Sequence, residues 1–191
     1  PDPTEEELNY FRHMGIDVAT IWTTLDRATL EYMASIKERL EAWDIELWNI
    51  GVLDFHCDSD IVLGLKEFPR KIEQYKEYLR NLGRAGISYT TYAHMANIKM
   101  KQYYQTGVGE TRGLPTREFI LNEALNLPLS HGRIYSEQEV WKTLIEFIRQ
   151  VVPVAEESGV RIGLQPDDPP VPNLGGVGRV ARSYAHCEQI I

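Results

Sequence analysis

The spacing of apolar residues divides much of the chain into helical segments that alternate with short apolar runs. Leu30, Met33, Ile36 and Leu40 recur at steps of three and four residues, which predicts a helix. The run that follows, 45–55, is mostly apolar, which predicts a strand. The same order recurs along the chain and predicts four helix-to-strand units.

The other units carry recognisable signals at their ends. Asp2 followed by Pro3 predicts the start of a first helix with Asp2 as its N-cap. The next segment, 16–23, is apolar and β-branched, which is typical of a strand buried on both faces. Ser136 with Glu139 forms a capping box for the fourth helix. The remaining predicted elements are a helix around 72–82 and strands at 87–92 and 160–164.

Helices that alternate with short apolar strands indicate a parallel sheet, either closed into a barrel or open and doubly wound. No glycine-rich GxGxxG or GxxxxGK loop follows any predicted strand, although nucleotide-binding doubly wound folds usually carry one. The sequence therefore favours an α/β protein, a (β/α)8 TIM barrel. We expect 1–191 to be a single incomplete barrel domain that supplies about the first half, because a complete barrel takes about 250 residues. Exposed strand edges then predict aggregation or pairing with a second half.

One long stretch, 97–135, is predicted to be irregular and is longer than an ordinary connection. It holds several glycines and prolines. In a barrel, a strand-to-helix loop of this length often lies over the active site. A surface insertion that only covers the barrel mouth is the alternative, and both interpretations stay open.

Composition and charge exclude several classes of protein. The net charge of −8 and pI near 5.2 argue against nucleic acid as a partner, because phosphate binding needs clustered basic residues. Cys57 and Cys187 are too few for a disulfide scaffold, which predicts a reduced, cytoplasmic setting. No apolar run has the length of a membrane helix, and no signal peptide precedes the first helix. The chain also lacks an initiating Met, so we expect that its ends are cut.

The least generic segment follows the fourth predicted strand. It reads Gln165-Pro166-Asp167-Asp168-Pro169-Pro170, and a glycine-rich turn with Arg179 comes after it. Its prolines forbid regular secondary structure, and two carboxylates at the carboxyl end of a barrel strand lie where barrel enzymes hold their active sites. The alternative is that Asp167 and Asp168 only cap a helix or bond loop amides.

This segment resembles the mannonate dehydratase family, whose hallmark here is His-Pro-Asp-Asp-Pro-Pro followed by a glycine-rich turn and Arg-Ile. The resemblance extends back without a gap through 147–161, including a proline within the predicted helix, Pro153. A weaker resemblance covers 75–95. The rest of the chain matches in pattern only.

The resemblance implies a barrel of the xylose-isomerase-like group that uses a divalent metal, Mn²⁺ or Fe²⁺. Its reaction removes water from D-mannonate and gives 2-keto-3-deoxy-D-gluconate in hexuronate (glucuronate) catabolism. The resemblance implies Asp167 and Asp168 as catalytic residues, and Gln165 stands where the family has a histidine that resembles a metal ligand. An amide oxygen binds Mn or Fe more weakly than imidazole. The family's other ligands, a cysteine, a histidine and an aspartate, lie on later strands, so the metal is mostly ligated by residues outside this chain.

Other residues are candidates for binding the substrate, a small sugar acid. His94 follows a predicted strand and faces the barrel mouth by this topology, while Arg112 and Arg117 could hold a carboxylate from the long stretch. Arg179 matches the arginine of the family's Arg-Ile turn, and pairing with Asp167 or Asp168 within the loop is its alternative role. His56 resembles the histidine after the family's corresponding strand, although the local spacing differs, and it is interpreted instead as a solvated loop histidine.

Two further functions remain open at this stage. The first is a xylose-isomerase-like sugar isomerase or epimerase, which shares the fold and often the metal. The second is a degenerate, non-catalytic sugar-binding barrel. For all three functions we expect a small-molecule ligand, no nucleic acid or membrane partner, and a surface that allows a homo-oligomer.

Overall fold

The computed structural model describes residues 2–97, 100, 103 and 105–191. Within them, helices and strands alternate through most of the chain. The helices are α1 (Glu5–His13), α2 (Leu30–Glu41), α3 (Ser59–Leu63), α4 (Phe68–Arg84), α5 (Leu121–Ala124), α6 (Glu137–Glu157) and α7 (Tyr184–Ile190). The strands are β1 (Val18–Thr23), β2 (Glu46–Val52), β3 (Tyr89–Ala93), β4 (Gly107–Thr111), β5 (Leu114–Glu118), β6 (Arg161–Gln165), β7 (Asn173–Leu174) and β8 (Val177–Gly178). The four predicted helix-to-strand units are confirmed as α1–β1, α2–β2, α4–β3 and α6–β6.

The strands form four two-stranded sheets in the part of the chain that is described. Strands β1 and β2 are parallel, with Ile21 opposite Ile50, and β3 and β6 are neighbours. The pairs β4–β5 and β7–β8 are antiparallel. Parallel pairing of β1 with β2 across the intervening helix α2 is the βαβ arrangement that the hydrophobic pattern predicts.

The start of the first helix differs from the prediction. Thr4 is the N-cap of α1, and its side chain and that of Glu7 form a capping box. Asp2 instead accepts hydrogen bonds from Arg27 Nη2 at 2.6 Å and from the Tyr32 hydroxyl at 2.7 Å. The prediction of Asp2 as N-cap was wrong because a cation and a hydroxyl from distant positions compete for its carboxylate.

The fourth helix begins as predicted. The backbone N–H of Ser136 donates to Glu139 at 2.8 Å, and that of Glu139 donates back to the Ser136 hydroxyl oxygen at 3.2 Å. These two bonds satisfy amide groups that the first turn of a helix leaves without partners. The capping box therefore fixes the start of the 21-residue helix α6.

The first strand is less buried than the sequence predicts. Val18 is 48% exposed and Trp22 is 39% exposed, so one face of β1 is open to solvent. Within the described residues β2 is the strand that pairs with β1, and no second strand lies on its other edge. The prediction of burial on both faces was wrong, because in the described part of the chain the face that carries Val18, Thr20 and Trp22 is only partly covered.

The stretch predicted to be irregular contains a β-hairpin. Strands β4 and β5 pair antiparallel, and the two residues between them, Arg112 and Gly113, have φ angles of 53° and 77°. Positive φ at both central residues is typical of the two-residue type I′ turn that matches the twist of a hairpin. The alternation of Gly107, Val108 and Gly109 is too weakly apolar for sequence periodicity to reveal this element.

Two compact groups of residues can be distinguished. The first contains 2–56, 69–92 and 148–164, and its core holds edge-to-face contacts of Tyr75 with Phe55 and Tyr78, at ring distances of 5.0 and 5.5 Å. The second contains the described residues of 57–68, 93–147 and 165–191. One of its apolar clusters holds Tyr103, Ala124, Val171 and Leu174. In neither group is any described helix apolar over a length that could cross a bilayer.

Candidate functional site

The loop that follows β6 is built around a buried ion pair. Asp167 and Arg179 are each 1% exposed at the side chain, and Nη1 of Arg179 lies 3.6 Å from Oδ1 of Asp167. The two residues lie on opposite sides of the β7–β8 hairpin in the sequence. The pair therefore closes the loop, as the alternative role of Arg179 in the sequence analysis describes.

Backbone hydrogen bonds hold the same two ends of the loop. The amide of Ala181 donates to Oδ2 of Asp167 at 2.7 Å, and the amide of Asp167 donates to the Ala181 carbonyl at 3.0 Å. Burial raises the pKa of Asp167, and the nearby Arg179 and the Ala181 amide oppose that shift. Burial likewise lowers the pKa of Arg179, which the Asp167 carboxylate opposes. Each charge is therefore tolerated in the interior because the other is present.

Small residues are required where the hairpin packs. A Cβ atom on Gly178 would lie 2.5 Å from the backbone nitrogen of Glu137, the first residue of α6. A Cβ atom on Gly175 would lie 2.3 Å from the Tyr103 ring. The glycine-rich turn in the sequence therefore reflects close approach of the hairpin to its surroundings.

Asn97 is a member of this network that sequence reasoning missed. It is 0% exposed, its Oδ1 accepts from Nη2 of Arg179 at 2.9 Å, and its Nδ2 donates to the Leu174 carbonyl at 2.6 Å. Asn97 was predicted as the start of the irregular stretch. An isolated asparagine in a loop is too common for its type or spacing to mark it.

Gln165, two residues before Asp167, and Asp168, directly after it, are both exposed. Gln165 ends β6, and Asp168 is held at its backbone by a hydrogen bond from its amide to the Met95 sulfur at 3.2 Å. Asp167 thus turns into the interior while Gln165 and Asp168 face solvent. The loop therefore presents the Asp168 carboxylate and the Gln165 amide to solvent, next to the buried Asp167–Arg179 pair.

His94 lies in the interior of the second compact group. It is 2% exposed, and its Nε2 lies 3.4 Å from the Thr143 hydroxyl of α6. Burial lowers the pKa of His94 to about 3, although a hydrogen bond to the Val140 backbone opposes the shift. The imidazole is therefore neutral at physiological pH, and its contact with substrate stays a prediction.

The structure does not bring the other candidates to this network. Arg112 is exposed at the tip of the β4–β5 hairpin, and Arg117 is exposed on β5. His56 was interpreted as solvated but is half-buried, with its ring edge-on to Trp22 at 4.8 Å. That interpretation was wrong because the aromatic side chain of β1 provides a packing surface after β2.

The residues at the end of β6 do not form a divalent-metal site by themselves. Both oxygens of Asp167 already face Arg179 and the Ala181 amide. That leaves the exposed oxygens of Gln165 and Asp168, fewer than the ligands that Mn²⁺ takes. In the described part of the chain no group of three or more His, Cys, Asp or Glu side chains is placed to hold a metal ion.

Comparison with known proteins finds one family that is similar over the region of this motif. Residues 108–191 match the family model described as D-mannonate dehydratase (UxuA). Mannonate dehydratase 2 of Halalkalibacterium halodurans is 28% identical over 84% of this chain and 52% of its own length. Mannonate dehydratase of Thermotoga neapolitana is 27% identical over 92% of this chain and 55% of its own length. The chain spans about half the length of the curated relatives it matches.

Solved structures agree on the fold. Mannonate dehydratase from Streptococcus suis serotype2 superposes with a TM-score of 0.76 at 24% identity, over 98% of this chain and 56% of that one. D-psicose 3-epimerase from Clostridium cellulolyticum H10 gives 0.56 at 15% identity, over 99% and 55%. These neighbours confirm the predicted TIM-barrel fold class. By its family-model match, its curated relatives and this fold, the chain is similar to the mannonate dehydratases over about half of their length.

Proposed function

We propose that this chain carries part of a mannonate dehydratase, a hydro-lyase that removes water from D-mannonate to give 2-keto-3-deoxy-D-gluconate. The observation that supports it most is the Asp167–Arg179 pair, which gives the Pro-Asp-Asp-Pro-Pro motif a fixed loop at the carboxyl end of a barrel strand. The family-model match covers this loop. We also propose that 1–191 belong to one barrel domain.

The reaction takes a proton from the carbon next to the substrate carboxylate and releases the neighbouring hydroxyl as water. The enol that remains tautomerises to the 2-keto product. We assign the proton-transfer chemistry to Asp168, because it is the exposed carboxylate of the pair and its backbone is held at Met95. Asp167 and Arg179 hold the loop, and their direct contact with substrate stays a prediction, as it does for His94 and Arg112.

A divalent cation, Mn²⁺ or Fe²⁺, belongs to the same proposal. Gln165 would supply one oxygen, and the other ligands would come from residues outside 1–191. When bound, such a cation would stabilise the negative charge that develops next to the substrate carboxylate. A cytoplasmic place in glucuronate catabolism fits the proposed substrate.

A sugar epimerase is the second candidate. It is favoured by Gln165, which replaces the family's histidine, and by the superposition on D-psicose 3-epimerase. Both functions begin with removal of a proton next to a carbonyl or carboxylate carbon. They differ in the product, because only a dehydratase releases water.

The proposed function is tested on the protein from the longest reading frame that contains this sequence. We expect it to form 2-keto-3-deoxy-D-gluconate from D-mannonate with added Mn²⁺, and product is followed by its reaction with thiobarbiturate. A folded, Mn²⁺-loaded protein that forms no such product but epimerises D-psicose would replace this proposal with the second candidate.

Changing Gln165→His is expected to raise Mn²⁺ affinity about tenfold or more, because imidazole is a stronger ligand than an amide oxygen. Dehydratase activity at limiting Mn²⁺ should rise with it. Gln165→Asn keeps the amide and is the matched control, with no gain expected. Calorimetric titration with Mn²⁺ measures the affinity. Equal affinity and activity in the histidine variant and the wild type would contradict a metal role for position 165.

A further inference from the structure

We propose that Asn97 is a positioning residue that holds Arg179 against Asp167 and so fixes the loop that carries Gln165 and Asp168. The proposal rests on the proposed function for its kinetic consequence. Its structural part, which concerns the loop alone, does not depend on that function.

Both the oxygen and the nitrogen of the Asn97 side-chain amide form hydrogen bonds. Arg179 can only donate hydrogen bonds, so the atom facing its Nη2 at 2.9 Å must be the amide oxygen. This assignment directs Nδ2 toward two acceptors, the Leu174 carbonyl at 2.6 Å and the Ser130 hydroxyl oxygen at 3.4 Å. Asn97 lies in the segment after β3. Its two hydrogen bonds therefore link that segment to Leu174 of β7 and to Arg179, which follows β8.

The orientation of the Arg179 guanidinium depends mainly on its hydrogen bond to Asn97. Within the described residues its Nε and Nη1 have no hydrogen-bond partner, and the 3.6 Å approach to Asp167 is longer than a hydrogen bond. The bond from Nη2 to Asn97 is therefore the directional contact that orients the guanidinium. Without this hydrogen bond, Arg179 and Asp167 would still attract each other, but no directional contact would fix the orientation of the guanidinium.

The position of Asp167 follows from that of Arg179. Asp167 bonds the Ala181 amide through Oδ2 while its Oδ1 faces Arg179. A guanidinium that moves away leaves a buried carboxylate uncompensated, and the carboxylate would then turn toward water. Asp168, the next residue, would move with it. Protection of the Ala181 amide from hydrogen exchange therefore reports on the arrangement directly.

The test compares two variants at position 97 in the full-length protein. Asn97→Leu removes both hydrogen bonds, whereas Asn97→Asp keeps an acceptor for Arg179. We expect Asn97→Leu to lower kcat about 10- to 100-fold with KM changed less than about threefold, the effect of losing a hydrogen bond to a charged group. Asn97→Asp keeps the acceptor for Arg179 but turns an oxygen toward the Leu174 carbonyl, so it should recover part of the lost kcat. Exchange at the Ala181 amide should be about tenfold faster or more in the leucine variant and clearly slower than that in the aspartate variant.

Tyr103→Phe is the structural control. It removes the hydrogen bond from the Tyr103 hydroxyl to the Pro128 carbonyl at 2.8 Å, which does not reach the ion pair. Stability should fall, while kcat and Ala181 exchange should stay within about twofold of the wild type. If Asn97→Leu does not fold, Asn97→Ser, which is too short to reach Arg179, replaces it.

Equal Ala181 exchange in wild type and Asn97→Leu, or equal losses in the leucine and aspartate variants, would overturn the positioning role. If the wild type lacks dehydratase activity, the exchange measurement still decides the role of Asn97. Failure of the proposed function and failure of this inference are then separate results.

Discussion

Replacing Arg179 with Met is expected to lower the free energy of unfolding by about 3–5 kcal/mol, the cost of leaving a buried charge without its partner. Methionine fills a similar length of the interior but carries no charge. The carboxylate of Asp167, 1% exposed at its side chain, would then remain in the interior without a cation. Urea unfolding at pH 7, followed by circular dichroism, measures the loss.

Two further variants separate the charge effect from lost packing. The double variant Asp167→Asn, Arg179→Met removes both charges and should recover several kcal/mol relative to the single variant. Arg133→Met breaks an exposed ion pair with Glu139 whose 2.8 Å separation is shorter than that of the buried pair. That variant should cost much less stability than Arg179→Met, because solvent screens an exposed ion pair. Equal losses in Arg133→Met and Arg179→Met would contradict a buried, uncompensated Asp167.

Acidification from pH 7 to pH 4 is expected to remove about 3 kcal/mol of stability through His94 alone. Burial lowers the pKa of His94 to about 3 from the usual 6.5. Because the folded-state pKa is the lower one, the unfolded chain takes up the proton first as the pH falls. The contribution of His94 to stability is therefore complete above pH 6.5 and is lost progressively between pH 6.5 and pH 3.

The variant His94→Gln removes the titrating group and isolates its contribution. The difference in unfolding free energy between pH 7 and pH 4 should shrink by about 3 kcal/mol in this variant. His13→Gln, at an exposed histidine of α1, is the matched control for the substitution itself. A pH dependence that is unchanged by His94→Gln would show that His94 is accessible to protons in the folded protein.

The alternating elements could be predicted because each carries local signals. The apolar spacing of α2 and the capping box of Ser136 act within a few residues of the chain, and the structure places both helices as predicted. The N-cap of α1 could not be predicted in the same way. Asp2 bonds Arg27 and Tyr32, and sequence pattern gives no information on contacts between residues 25 and 30 positions apart.

In the candidate site too, the features that a local motif marks could be predicted, and those that depend on contacts between distant residues could not. The motif Pro-Asp-Asp-Pro-Pro indicated the loop, and the family's Arg-Ile turn indicated Arg179. Which aspartate turns inward was not predictable, because adjacent residues of an irregular loop have no fixed periodicity. The structure shows Asp167 buried and Asp168 exposed, which gives the two carboxylates different environments. Asn97 could be identified only from its contacts in the structure, because it lies 82 positions from Arg179 in the sequence.

The fate of D-mannonate in the presence of the full-length, Mn²⁺-loaded protein decides the proposed function. We expect formation of 2-keto-3-deoxy-D-gluconate and one equivalent of water, and loss of this activity when a chelator removes the metal. Intact D-mannonate after incubation with a folded, metal-loaded protein would contradict the proposed function.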